Sequence, residues 1–199
     1  MDGVVYGPLW QAHMRAASSN SIHIRPAMAA DAQIIGELAR QFADYLRSLG
    51  DMTDFQFNAE TYLRDGFGPN PAFAGIVAEA NGEVAGYLLY HFGYDVDRAL
   101  RLLHVIDLYV RPEVRGRGVG RALMDEAARL CREGGGRELC WAVYRPNILA
   151  TQFTTDWAPA TSKIWTLWCG ACEMLQDTFT PQAGSAGENP QHGAIRGRR

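Results

Sequence analysis

The sequence predicts an α/β domain, a mixed central sheet with helices packed against it. Three observations carry that prediction. Apolar runs of strand length alternate with segments of helical periodicity. An Asn81-Gly82 pair separates two apolar runs, as in a hairpin. A glycine-rich turn joins an apolar strand directly to an amphipathic helix. With 199 residues, 47% of them hydrophobic, the chain can bury one good core.

The elements follow in order. Ser21 to Ala27 alternates as a first strand, and Asp31 to Leu46 keeps helical spacing through Ile34, Ile35, Leu38, Phe42, Tyr45 and Leu46. Residues 50–71 are turn-rich, with a short helix expected from Ala59 to Arg64. Ala72 to Ala80 and Glu83 to Phe92 pair across Asn81-Gly82, which tolerates the positive φ of a type I′ turn. After a loop from Tyr94 to Leu100, the central strand Leu102 to Val110 stops at Arg111-Pro112. Val119, Leu123, Ala127 and Leu130 mark a helix ended by Gly134-Gly135-Gly136, and Arg137 to Tyr144 is a further strand.

Composition narrows the function. A net charge of −3 and a pI near 5.9 argue against nucleic-acid partners, which need a broad basic surface. No run approaches the roughly eighteen apolar residues of a spanning helix, so no membrane partner is expected. Residues 1–20 lack a signal-peptide pattern and read as a flexible leader; the folded domain is expected over 21–156 and a separate tail over 157–199. Four cysteines without framework spacing point to the cytoplasm.

The turn between the central strand and its helix is built for an anion. Unpaired amides and the positive end of the helix dipole meet there, and glycines let a phosphate approach the backbone. Arg115, Arg117 and Arg121 add charge suited to a diphosphate. A P-loop is excluded because the turn has no lysine, and a dinucleotide fingerprint because Arg121 stands where a third glycine or alanine belongs.

Arg115, Gly118 and Gly120 fit the signature Gln/Arg-x-x-Gly-x-Gly/Ala, and with the strand before and the helix after, the segment resembles the GNAT superfamily of N-acetyltransferases. The resemblance runs from Ile22 to about Phe153. Asp65-Gly-Phe-Gly68, Val77-Ala-Glu79, Tyr90 to Asp95 and Asp107-Leu-Tyr-Val110 are similar to the diamine, polyamine and thialysine branch. It implies a GNAT-type acyl-CoA N-acyltransferase fold, acetyl-CoA as cosubstrate, no metal and a small-molecule primary amine as acceptor. It also implies a diphosphate held on Gly116, Arg117, Gly118, Val119, Gly120 and Arg121. The pantetheine arm would lie along Leu108, Tyr109 and Val110, with Asn147 and Ala150 beside the cofactor. Tyr45, Cys140, Trp141 and Ala142 fall on the implied substrate wall, and a homodimer through the C-terminal strand is implied where that strand exists.

Asp107 is read from the residues themselves. It interrupts an apolar strand, and an alkyl amine with a pKa near 10 needs a carboxylate to bind it and take its proton. Where the diamine branch carries further acidic contacts, this chain has Leu46 and Ile106, which favours a mono-amine or amino acid.

The family's Phe-Tyr-x-Arg-x-Gly-Ala run, whose tyrosine protonates the departing thiolate, starts at Phe153 and then breaks, because Thr154 stands at the tyrosine position. Seven of the nine threonines lie at or beyond Thr151, and the chain's only lysine is Lys163. Either natural divergence or one nucleotide missing after the Phe153 codon accounts for this, and the missing nucleotide is the favoured reading. Restoring a T makes positions 154, 157 and 158 read tyrosine, leucine and glycine. The segment beyond Asp156 is then expected to lack the family's last two strands and to be partly disordered, with weak turnover or a catalytically silent acyl-CoA-binding protein as the result. Trp168-Cys169-Gly-Ala-Cys172 resembles a thioredoxin motif, but residues 173–199 cannot supply the rest of that fold.

Overall fold

The computed structural model describes residues 21–157 and the backbone of 163–167. The expected leader, the Cys169–Cys172 motif and most of the expected tail lie outside the described residues. Strands β1 (Ile22–Pro26), β2 (Ala74–Ala80), β3 (Glu83–Asp95), β4 (Leu100–Val110), β5 (Glu138–Tyr144) and β6 (Lys163–Leu167) form one six-stranded sheet in sequence order. The first four are antiparallel; β4, β5 and β6 are parallel. The mixed sheet flanked by helices is as the sequence predicts.

The Asn81-Gly82 hairpin forms with φ of 56° and 83° at its two central residues, the positive pair that a type I′ turn requires. Helix α1 (Ala32–Ser48) and helix α2 (Ala59–Phe67) cover one sheet face. There Ile35, Leu38 and Tyr62 pack on Val77, Tyr87, Leu89 and Tyr109. Asn58 caps α2 by accepting from the amides of Glu60 and Thr61. On the opposite face, helix α3 (Val119–Glu133) crosses from β4 back to parallel β5, burying Val119, Leu123, Met124 and Ala127 against Leu88, Leu103, Val105 and Leu139.

Two elements differ from the sequence reading. Helix α4 (Ile148–Trp157) was not expected, since three threonines lower its intrinsic propensity. They are accommodated because the Thr151, Thr154 and Thr155 hydroxyls donate to carbonyls one turn back, at 3.1, 2.9 and 2.8 Å. Trp157 seals the helix onto the core, its ring edge-on to Trp141 at 5.9 Å and its indole N–H donating to Asp125 at 2.8 Å. The expectation that the sheet ends at β5 is corrected by β6, whose backbone pairs from Cys140–Lys163 to Tyr144–Leu167. Ile, Trp and Thr in that segment suit a strand whatever their origin.

Candidate active site

Parallel β4 and β5 pair only from Leu102–Glu138 to Val105–Trp141, after which β4 runs on to Val110 without β5 beside it. A bulge helps to part them. Leu89 faces Asp107 and Tyr90 faces Val105, so Ile106 is the extra residue and the strand bends there. The gap is a cleft of about 370 Å³. Phe42 and Leu46 of α1 line it, and so do Met124 of α3 and Phe153 and Thr154 of α4. Residues from both layers of helices therefore meet in one opening through the sheet.

Asp107 lies in the wall of this cleft. Its half-buried carboxylate accepts the Tyr87 hydroxyl at 2.5 Å and the Leu108 amide. Burial pushes its pKa from 3.8 up to about 6, against the opposing pull of those two donors. Tyr87 is fully buried, and desolvation together with the Asp107 charge holds its hydroxyl well above the ordinary tyrosine range. It therefore remains a proton donor to the carboxylate at every working pH.

The start of α3 presents the expected amides. Ala122 N–H to Gly118 O, at 2.9 Å, is the first bond of the helix ladder, so the amides of Gly118, Val119, Gly120 and Arg121 precede it. Gly118 caps the helix at φ 87° and Gly116 sits at φ 73°, both left-handed positions that favour glycine. Gly120 has a packing role. A Cβ there would stand 3.3 Å from the Phe153 ring, so this glycine also seats α4 against α3. Arg117 and Arg121 are exposed around the turn. Arg115 is exposed as well but is tied down: its Nε donates to Val110 O at 2.9 Å, and its guanidinium lies 5.4 Å from the Tyr109 ring and 5.6 Å from the Tyr45 ring.

Asn147 is buried at 5% exposure and ties two helices together. Its side-chain oxygen accepts the Tyr45 hydroxyl and the Ala150 amide, each at 3.1 Å, capping α4 while holding it to α1. Thr154 faces the cleft, but its hydroxyl donates to Ala150 O. Of the implied substrate wall, Trp141 and Ala142 line the cleft, Tyr45 reaches it through Asn147, and Cys140 is not among the lining residues. Tyr87, Phe42 and Met124 were missed. The helical spacing of α1 already put Phe42 on the inner face with Leu46, whereas the Tyr87–Asp107 contact depends on strand register. Among the described residues there is no cluster of three or more metal-ligating side chains, and no helix is long and apolar enough to cross a membrane.

Residues 37–155 match the model of the acetyltransferase (GNAT) family, and the chain belongs to that family. It is 35% identical over 130 residues to the thialysine N-epsilon-acetyltransferase of Bos taurus, an alignment covering 61% of this chain and 74% of the relative. Among solved structures, the ribosomal-protein-alanine N-acetyltransferase of Brucella melitensis biovar Abortus 2308 shares the fold with a TM-score of 0.58 at 22% identity, covering 70% of this chain and 92% of that one. An aminoglycoside N-acetyltransferase solved in complex with CoA has a TM-score of 0.59 at 16% identity, covering 76% and 96%. The protein is an acetyltransferase.

Proposed function

We propose that the chain moves an acetyl group from acetyl-CoA to the primary amine of a small molecule within the cleft between β4 and β5. The observation that carries this reading is the Asp107 carboxylate set in an opening that both layers of helices share. The donor set fits CoA chemically. Four amides ahead of the α3 ladder and the exposed Arg117 and Arg121 suit a diphosphate, and β4 beyond Val105 lacks a neighbour on the β5 side, leaving room for an extended pantetheine arm beside Leu108, Tyr109 and Val110. Arg115 fixes the end of that strand, with Asn147 and Ala150 forming the rim at α4.

Bound acetyl-CoA supplies the activated acyl carbonyl; the remaining contributions come from the chain. At neutral pH only about one alkyl amine in a thousand is unprotonated. Asp107, ionised above about pH 6, binds the ammonium form and accepts its proton, directly or through one water. Tyr87 holds the carboxylate in place, and Tyr45, Trp141 and Ala142 shape the acceptor side. Thr154 supplies no effective acid for the departing thiolate, because an aliphatic hydroxyl holds its proton far more tightly than a phenol does. Water takes that role, and turnover is lowered about 10²-fold or more relative to a positioned acid. Thr154 also supports reading the segment beyond Phe153 as an out-of-frame product, and it favours one second reading: a chain that binds acyl-CoA without turning it over.

An acetyl-CoA-dependent thiol-release assay against small primary amines tests the proposal. Amine-dependent release in the parent that disappears in Asp107→Asn is the expected result. Binding of acetyl-CoA without release for any amine selects the silent binder instead.

A further inference from the structure

The acceptor side of the cleft has the wrong lining for a polycation. Ile106, the bulged residue next to Asp107, lies in the cleft wall at 46% exposure, a large apolar side chain facing solvent in mid-strand. Phe42 and Leu46 face the same opening from α1. The other carboxylate of the lining, Asp51, lies on the loop after α1, where one of its oxygens already accepts both the amide and the hydroxyl of Thr53 at 2.9 and 2.6 Å. A second ammonium drawn past Phe42, Leu46 and Ile106 would lose water against three apolar side chains, and Asp51, already bonded by both donors of Thr53, would offset only part of that cost. An apolar body at the same place would cover the exposed Ile106 and the half-buried Phe42 and Leu46.

Resting on the amine-acetylation reading above, we propose that the acceptor is a primary monoamine with an apolar aliphatic or aromatic body. Its single ammonium meets Asp107, and Ile106 sets the preference against a second charge. The carbon chain lies against Phe42, Leu46 and Ile106, so selectivity comes from desolvation rather than from charge pairing.

A matched pair isolates the distinction: n-hexylamine and 1,6-diaminohexane have the same carbon chain and differ by one terminal ammonium. Each is titrated calorimetrically into the full chain saturated with CoA, and each is assayed for acetyl-CoA-dependent thiol release. Hexylamine is expected to bind at least tenfold more tightly and to show the higher kcat/KM. Ile106→Glu, at a half-exposed site tolerant of a polar side chain, should narrow or reverse that ratio while leaving CoA affinity unchanged. Equal or tighter binding of the diamine overturns the inference and leaves the acetyltransferase reading intact. So does binding of neither amine to CoA-loaded protein. Failure of the folded chain to take up CoA at all defeats the underlying reading instead.

Discussion

Asp107→Asn separates the stability cost of a buried carboxylate from its chemical use. The acid has a folded pKa of about 6 against 3.8 for the free group, so the native state binds its proton more tightly than the unfolded state does. The ionised carboxylate therefore weakens the fold above pH 6, and this penalty fades as the pH falls toward 3.8. The shift corresponds to a ceiling of roughly 3 kcal/mol. Water entering a half-buried site reduces this to about 1–2 kcal/mol. Asparagine keeps the acceptor for the Tyr87 hydroxyl and removes the charge. Urea denaturation should show the variant more stable by about 1–2 kcal/mol at pH 8, with about a third of that gain remaining at pH 4.5. Amine acetylation should fall about 10²-fold or more in the same protein. A loss of stability at pH 8, or an equal gain at both pH values, would refute burial as the cause of the raised pKa.

Further outcomes follow from neighbouring contacts. Tyr87→Phe removes a donor that favours the ionised carboxylate, so the acid limb of the kcat/KM profile, expected near pH 6, should move up by about one pH unit. Gly118→Ala forces a Cβ into the left-handed region at φ 87°; a loss of about 1–2 kcal/mol in stability and weaker acetyl-CoA binding are expected, measured by melting and by KM. Thr154→Tyr restores a phenol to the face of α4 that lines the cleft and should raise kcat at least tenfold; equal rates in both proteins would remove the proposed role of water. Trp157→Ala loses the edge-on contact with Trp141 and the bond to Asp125, and should destabilise by about 3–5 kcal/mol in urea.

Much of the frame is legible in the residues because local chemistry dictates it. Asn81-Gly82 fixes the hairpin, the spacing of Ile35 and Leu38 fixes the inner face of α1, and Gly118 fixes the start of α3. Asp107 is conspicuous as a charge inside an apolar strand. What escapes notice depends on tertiary placement. Tyr87 reads as one more core aromatic until register sets it opposite the Asp107 segment. Arg115 looks like one of three equal anion ligands, yet the Val110 carbonyl and two aromatic rings hold its side chain in place. Gly120 invites an anion-binding reading, while its closeness to Phe153 comes from the packing of α4. That helix itself was hidden by threonines whose hydroxyls join its own backbone. The pairing of β6 with β5 lay in a segment whose composition departs from everything before it.

Titration calorimetry of CoA into the full chain tests most directly whether the turn before α3 holds a nucleotide diphosphate. Saturable heat at one site per chain is predicted, weakened at least tenfold by Gly118→Ala and reduced by added salt as charge contacts are screened. Absence of saturable binding by parent protein that melts cooperatively would contradict it.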